Sequence, residues 1–465
     1  MTAMLAACLT GGRALQRSLC EMQPAILPNC QNQITKQTPS KPADASTLRD
    51  VQAILRAVSM PPHSFSYGSG HSLSLRFPSG TPIVKCSGPV AEKHTNAEAA
   101  TADALRNPLD FPPITSATVP GDQITIAVCT SLPCMQPIAT KVIDMLLDAS
   151  AQPEEITLLL PNEADVARYK SPGTIHAKIH IASHTPDERT SLGYIAASQQ
   201  GNPVYFHRAL CDADLVLPIE ASVPGIEGYD CALHGKLFPT FSDTDTKFRL
   251  LCNTDSQART QNAVEAQEAA WLLGIQLGIQ VVPGASNEAL HVLAGKNEVV
   301  QKLGNDMSTN AWRTDIPEQA DLVIGAIGGG PELQTWEHVA RALAASATVV
   351  QERGAIGLCT ALKEPPPPAL KRMAFDLSEL SSQDDRPKHT AEEELVVQRI
   401  RQTLQRASVY LVSELEIHET ESIGFTHVDA PQNLQRLGEQ CDSCILISNA
   451  QYAAPTLLQH ETQTP

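Results

Sequence analysis

The sequence has few aromatic residues, no long hydrophobic run and no excess of positive charge. Aromatic side chains make up 4% of the 465 residues, and no apolar run approaches the roughly 18 residues of a membrane-spanning helix. Lys and Arg number 34 against 51 Asp and Glu, which gives a formal net charge of -17. Such a field repels phosphate backbones, so the composition argues against nucleic-acid binding as well as against a membrane span.

The twelve cysteines are scattered, and most lie in apolar, strand-like runs. This distribution is typical of reduced, buried thiols. Cys441 and Cys444 have C-x-x-C spacing, but they lead directly into a strand and no second pair accompanies them, which disfavours a redox or zinc role. The start, "MTAMLAACLT", lacks a basic region and has too short an apolar core for a signal peptide. We therefore expect a cytoplasmic protein.

Apolar residues make up 42% of the sequence, and they follow an α/β rhythm. Residues 1–48 are rich in Gln, Pro, Thr and Ser and predict a disordered extension, and helical spacing follows over 47–58. Continuous apolar runs, such as 123–130, 155–162 and 214–220, then alternate with helical segments. This pattern predicts an α/β fold of two domains, 49–262 and 263–465, with mainly parallel sheets covered by helices and a cleft between them.

Ligands bind beyond the carboxyl ends of strands in open parallel sheets, so the strand ends are the candidate site. His184 follows the third strand, and either a solvated or a catalytic role fits it. "GAIGGGPE", which contains Gly329, is not a dinucleotide fingerprint and is either a tight turn or a close approach to a ligand. His338 and Arg341 stand three residues apart on the next helix, where they can act on one small anion or form a solvated face.

A glycine-bearing loop, "GIEGYDCALHGKLFP", follows the strand "DLVLPIE". It contains Gly228, His234 and Lys236. A lysine in this setting is a covalent tether, an anion clamp or a solvated surface residue.

Taken together, these motifs resemble the nickel-dependent lactate racemase family. The resemblance rests on "SHTPDERTSLGYIAASQQGNPVYFHRALCDADLVLPIEASVPGIEGYD", "DLVIGAIGGGPELQTWEHVARAL", "SVYLVSELEIHETESIGF" and "CDSCILISNA", and runs from about residue 64 to 458. It implies two α/β domains and a pyridinium mononucleotide cofactor whose sulfurs and ring carbon hold a nickel ion. Family members tether this cofactor to a lysine, hold the substrate carboxylate with an arginine and move protons with histidines.

The resemblance assigns the tether to Lys236 and cofactor contacts to four further residues, which are Gly228, Gly329, His338 and Arg341. Cys252 or Thr254 falls where the nickel histidine is expected. Leu132 stands in place of the substrate arginine and Pro224 in place of one proton-transfer histidine, while Glu163 or Asn162 lies nearest the other. Glu163, His184 and His234 are therefore the candidate acids and bases.

Two functional hypotheses follow from this mixture. In the first, the chain is a racemase or epimerase of a 2-hydroxy acid or related anion, with the nickel cofactor on Lys236. In the second, it is a catalytically inactive relative that binds a small molecule or a protein partner, and Lys236→Ala leaves function and stability unchanged.

Overall fold

The computed structural model describes residues 62–89, 96–129, 132–169, 173, 176–226, 236–253, 255–375 and 389–458. The chain divides into two units, Met1–Val58 and Ser59–Pro465, and every described residue belongs to the second. The extension expected over 1–48 and the helix expected over 47–58 lie outside the described residues. No helix of the described ranges is long and apolar enough to cross a membrane.

The strands of the described residues are numbered in chain order. They are β1 His63–Tyr67, β2 His71–Leu75, β3 Ile83–Cys86, β4 Ile124–Val128, β5 Ile156–Leu160, β6 His180–Ser183, β7 Leu192–Ala197, β8 Pro203–His207, β9 Leu215–Ala221, β10 Leu277–Pro283, β11 Ala289–Lys296, β12 Arg313–Ile316, β13 Ala320–Ala326, β14 Val350–Cys359, β15 Ser408–Val412, β16 Thr426–His427, β17 Cys444–Ser448 and β18 Ala454–Leu457.

The α-helices are numbered in the same way. They are α1 Ala97–Arg106, α2 Met135–Asp148, α3 Glu163–Arg168, α4 Arg208–Cys211, α5 Leu237–Thr240, α6 Thr244–Leu251, α7 Ser256–Leu272, α8 Asn297–Trp312, α9 Trp336–Val349, α10 Pro368–Phe375, α11 Ala391–Arg406, α12 Ile417–Glu421 and α13 Gln435–Gln440.

The first sheet has the strand order β11-β10-β9-β4-β5-β6, and only β11 runs antiparallel to its neighbour. All five residues of β4 are buried, because Ile124, Ile126 and Val128 pack against α1 and α2 while Ala127 faces the helices α6 and α7. A strand covered on both faces has no polar side, which explains its continuous apolar sequence. We call this sheet with its helices the first lobe.

The second sheet has the order β16-β15-β14-β13-β17-β3, and all six strands are parallel. One face packs against α9, α10 and α11, and the other against the hairpin β1–β2 through residues such as Leu73 and Leu75. We call this sheet with its cover the second lobe. The predicted α/β fold with mainly parallel sheets is confirmed.

The sheets divide the chain differently from the expected boundary between residues 262 and 263. β10 and β11 follow this boundary and yet complete the first sheet, where β10 pairs with β9. β3 precedes it and yet pairs with β17 in the second sheet. β10 is an interior strand of the first sheet and β3 is an edge strand of the second, and neither placement follows from the order of the strands along the chain.

Candidate functional site

A cavity of about 530 Å³ lies between the lobes, at the carboxyl ends of β4 and β5. Its first-lobe wall contains Leu132, residues 134–137 at the start of α2, and Asp165 and Arg168 of α3. The second lobe contributes Glu332 and the proline before it, which follow β13. The position agrees with the general rule for ligands of open parallel sheets. We call it the interlobe cavity.

Cys134 and Asn287 fix the first-lobe edge of this cavity. Cys134 has a left-handed backbone, with φ of 56°. Its amide donates a hydrogen bond to Asn287 Oδ1 at 3.0 Å and its thiol donates to the Asn287 carbonyl at 2.9 Å. Burial raises the pKa of Cys134, so the residue is a protonated donor and is not a reactive thiolate at neutral pH.

The charged groups of the cavity wall are mostly acidic. Asp165 and Arg168 form an ion pair at 3.1 Å, and their side chains are 13% and 44% exposed, respectively. Burial raises the pKa of Asp165, and the Arg168 charge opposes this shift in part. Glu332 lines the opposite wall. Since Asp165 already compensates Arg168, the net charge that a ligand meets is negative.

The glycine loop after β13 joins the lobes. Ser286 of the first lobe donates its backbone N–H to Asn449 Oδ1 at 2.8 Å, and a Cβ on Gly328 would collide with the same Asn449 oxygen. Gly329 has φ of 96°, and a Cβ there would lie 2.5 Å from Leu333 Cδ1 and 3.2 Å from the Ser286 carbonyl carbon. These glycines allow the two backbones to approach each other, and this gives Gly329 a packing role.

His338 and Arg341 also contact protein groups. His338 is 5% exposed, and its Nδ1 lies 2.8 Å from Thr335 Oγ1. Arg341 donates from Nε to the Gln451 carbonyl at 2.9 Å and from a terminal nitrogen to the Pro224 carbonyl of the first lobe. Arg341 therefore connects the lobes through backbone carbonyls, a role that was neither of the two alternatives, a shared anion or a solvated face, that the sequence left open.

Lys236 lies in a different cavity. Its Nζ is 3.1 Å from Glu220 Oε2 and 3.5 Å from Gln280 Oε1, and the Glu220 side chain is 1% exposed. Glu220 also accepts hydrogen bonds from the Leu237 amide and from Gln280 Nε2. This second cavity, of about 440 Å³, is formed by residues of β9, α5, α7 and α8 and shares no lining residue with the first. We call it the α7–α8 cavity.

A family model described as the lactate racemase N-terminal domain matches residues 67–221. The chain is related to the lactate racemase family. Its fold is similar to that of the lactate racemase apoprotein from Thermoanaerobacterium thermosaccharolyticum, with a TM-score of 0.64, 15% identity, and coverage of 85% of this chain and 100% of that one. A protein from Thermotoga maritima is similar at a TM-score of 0.54, 11% identity, and coverage of 78% and 97%. No curated protein matches the sequence.

Two positions where the lactate racemase resemblance expects catalytic groups hold residues without that chemistry. Leu132 replaces the substrate arginine, and its side chain is 2% exposed within the first-lobe core at the cavity wall. Pro224 replaces a histidine, and its carbonyl is occupied by Arg341. Neither residue can bind a carboxylate or transfer a proton.

Of the other candidate acids and bases, the two described ones, His184 and Glu163, do not line the interlobe cavity. His184 is 3% exposed and its Nε2 lies 2.8 Å from the Ser242 carbonyl, so of the two roles that the sequence left open the solvated one is wrong. Burial, aided by the nearby Lys247 charge, lowers the pKa of His184 to about 3. Glu163 is exposed and accepts a hydrogen bond from the Ser183 hydroxyl. His234 and Gly228 lie outside the described residues.

The described residues do not fit a tethered nickel cofactor. Cys252, the expected metal ligand, donates its thiol to the Ala391 carbonyl at 3.5 Å and lines neither cavity. Lys236, the expected tether, is paired with Glu220 in the α7–α8 cavity, apart from Gly329 and His338. The side chains assigned to the cofactor are thus not brought together.

Sequence reasoning identified the strand ends but not the residues that line the cavity there. Cys134, Asp165 and Arg168 stand within or just beyond the loops "TSLPCMQP" and "PNEADVARY", which follow the first two strands. Asn287 and Glu332 come from loops of other strands, and only the tertiary structure brings them to the same wall. The signal that was present was a group of polar side chains within about eight residues of the end of each buried strand.

Proposed function

We propose that this chain is a relative of lactate racemase that binds a small molecule in the interlobe cavity and does not racemise 2-hydroxy acids. The observation that carries the proposal is the exchange of charge at this site. A buried leucine, Leu132, stands where the carboxylate of a hydroxy acid would need a cation, and the wall instead presents the carboxylates of Asp165 and Glu332.

The acidic wall, which lacks an uncompensated cation, also indicates which class of ligand the interlobe cavity would bind. Arg168 is compensated by Asp165 at 3.1 Å, so it offers little net attraction to an anion. Leu160, Val128 and Met135 supply apolar wall, and Glu332 supplies a negative charge on the facing side. A small, partly apolar molecule with a neutral or positively charged end complements this surface better than the 2-hydroxy acid anion expected from the sequence.

The eight described cysteines are all free thiols. This state suits a reducing compartment, and we propose a cytoplasmic location.

The racemase alternative is tested by making the chain beside the enzymes that assemble the nickel cofactor. We expect an unmodified intact mass, less than one nickel per ten chains, and no interconversion of D- and L-lactate. The lactate racemase of T. thermosaccharolyticum, prepared in the same cells, is the positive control. A mass adduct on Lys236 with about one nickel per chain, or measurable racemisation, would overturn the proposal.

The ligand class is tested with three molecules that share a three-carbon skeleton and differ in charge. Lactate is an anion, 1,2-propanediol is neutral and 1-amino-2-propanol is a cation. Saturation-transfer NMR should show binding in the order cation, diol, lactate. Glu332→Gln should weaken the amine by roughly threefold to tenfold, as expected for one partly screened charge of about 1 kcal/mol.

Glu298→Gln, in the α7–α8 cavity, is the matched control and should change nothing at the interlobe cavity. Preferential binding of lactate, or binding of none of the three, would contradict the proposed ligand class.

A further inference from the structure

The α7–α8 cavity is a second built pocket, and the proposed function of the interlobe cavity does not use it. Small residues of α7 (Ala263, Ala266 and Ala270) leave about 440 Å³ between this helix, α8 and the end of β9. Larger side chains at these positions would fill the space, because they lie on the side of the helix that lines it. The cavity therefore depends on the sequence of α7.

An exposed tryptophan stands at the rim of this cavity. Trp271, at the end of α7, is 75% exposed, whereas Trp312 and Trp336 are 1% and 5% exposed. A large exposed aromatic surface beside a polar pocket is typical of a binding site. The face of an indole ring carries partial negative charge and attracts C–H groups of partial positive charge.

The ionic groups of the wall are equal in number, and the two buried ones form a pair. The lining contains two carboxylates, Glu220 and Glu298, and two ammonium groups, Lys236 and Lys302. Glu220 and Lys236 form a 3.1 Å ion pair, and Glu298 lies 3.4 Å from Lys296. Because Glu220 and Lys236 already compensate each other, the buried part of the wall offers no counterion to a charged ligand. The wall therefore favours a neutral ligand.

Carboxamides supply the remaining polar surface. Four of them line the cavity, and these are Gln267, Asn297, Gln301 and Asn305. Each carboxamide both donates and accepts hydrogen bonds. Asn297 is 8% exposed, and its buried Oδ1 receives no hydrogen bond from the described residues. This oxygen packs against Gly278 and has almost no accessible surface, so the amide groups that face a ligand are those of Gln267, Gln301 and Asn305.

We propose that the α7–α8 cavity binds a neutral polyhydroxylated molecule, a sugar or a cyclic polyol, whose C–H face stacks on Trp271. Hydroxyl groups donate and accept hydrogen bonds as carboxamides do, so they match the amide-lined wall. The C–H face of such a ring matches the exposed indole. The balanced charges of the wall admit a neutral molecule without an unpaired ion.

Trp271 itself provides the measurement. Because the other two tryptophans are buried, quenching of protein fluorescence by acrylamide reports mainly on Trp271. Glucose, galactose, N-acetylglucosamine and myo-inositol are titrated to about 50 mM against the full chain, and binding is followed in parallel by saturation-transfer NMR. We expect at least one probe to saturate and to reduce the quenching constant about twofold.

Variants locate the binding. Trp271→Ala should weaken the bound probe at least tenfold by NMR, and Asn305→Ala should weaken it severalfold. Val264→Ala is the matched control, because Val264 is an exposed apolar residue of the same helix that does not line the cavity. All three positions are exposed, and circular dichroism melting confirms that each variant is folded.

Three results would overturn the proposal. The first is the absence of saturation and of Trp271 protection with every probe. The second is equal binding by the wild type and Trp271→Ala. The third is a probe whose binding is weakened by Glu332→Gln and unchanged by Trp271→Ala, because this result would assign the molecule to the interlobe cavity.

Discussion

Replacing Lys236 with methionine separates a structural role from a cofactor role. Methionine keeps most of the side-chain volume but removes the ammonium group that lies 3.1 Å from Glu220. The Glu220 carboxylate would then remain 1% exposed, with hydrogen bonds from the Leu237 amide, Gln280 and Gln301 but no counterion. An uncompensated buried charge is strongly destabilising.

The magnitude can be bounded from the surroundings. Breaking a buried ion pair typically costs about 3–5 kcal/mol. The Lys236 side chain is 18% exposed and the hydrogen bonds to Glu220 persist, so some solvation of the carboxylate remains. We therefore expect Lys236→Met to lower the free energy of unfolding by about 2–3 kcal/mol. This differs from the sequence-based expectation that an inactive relative would tolerate loss of Lys236 without a change in stability.

Urea unfolding followed by circular dichroism measures this loss, with Glu220→Gln and the double variant completing a cycle. The double variant replaces the ion pair by a neutral pair and should cost less than the sum of the single variants, by about 1–2 kcal/mol. Lys296→Met is the control, because Lys296 and Glu298 are both more than half exposed at 3.4 Å and should contribute under about 0.5 kcal/mol. A Lys236→Met variant as stable as the wild type, or purely additive effects, would refute the reasoning.

Two further substitutions test separate features: Arg341→Met tests the connection between the two lobes, and His184→Gln tests the pKa of the buried histidine. Arg341→Met removes the hydrogen bonds to the Gln451 and Pro224 carbonyls and should lower the stability of the contact between the lobes by about 2 kcal/mol. The loss should appear as faster proteolysis near residue 224. Unchanged proteolysis would contradict a connecting role. The folded-state pKa of His184, about 3, lies below its ordinary 6.5, so the unfolded chain binds the proton first and stability is lost as pH falls below 6.5. His184→Gln should reduce this loss of stability by about 1 kcal/mol per pH unit between pH 6 and 5. The exposed His418→Gln is the control. Equal dependence of stability on pH in the wild type and His184→Gln would contradict the lowered pKa of His184.

The parallel strands could be predicted because burial on both faces leaves a local trace. The runs at 123–130, 155–162 and 214–220 overlap β4, β5 and β9, and each has no polar side. β10 and β3 were missed for different reasons. β10, "LGIQVVP", is fully buried, but it follows a long helical pattern that obscured its start. β3 has four residues and pairs with β17, some 360 residues further along the chain, so nothing local identifies its sheet.

The candidate site could be located but not assembled. The strand ends of the first lobe do form the interlobe cavity, because parallel strands place their carboxyl ends at one edge. Its charge, however, depends on pairs such as Asp165 with Arg168 and on Glu332 from the other lobe. His184 shows the same limit, since its polar sequence neighbours suggested a solvated residue and the Ser242 carbonyl that buries it is 58 residues away.

The pairing of Lys236 could have been predicted from the strand that precedes it. Glu220 lies within "DLVLPIE", an otherwise apolar strand, and a carboxylate buried at such a position needs a compensating partner. The loop that follows this strand ends at Lys236, a cation close enough along the chain to supply it. A comparison by motif assigns the lysine to a cofactor, whereas the requirement of the buried acid assigns it to Glu220. The two assignments compete for one side-chain nitrogen, because the Lys236 nitrogen lies 3.1 Å from Glu220 and a bond to a cofactor would take away the counterion of this buried carboxylate. The ion pair therefore bears directly on whether this chain keeps the chemistry of its relatives.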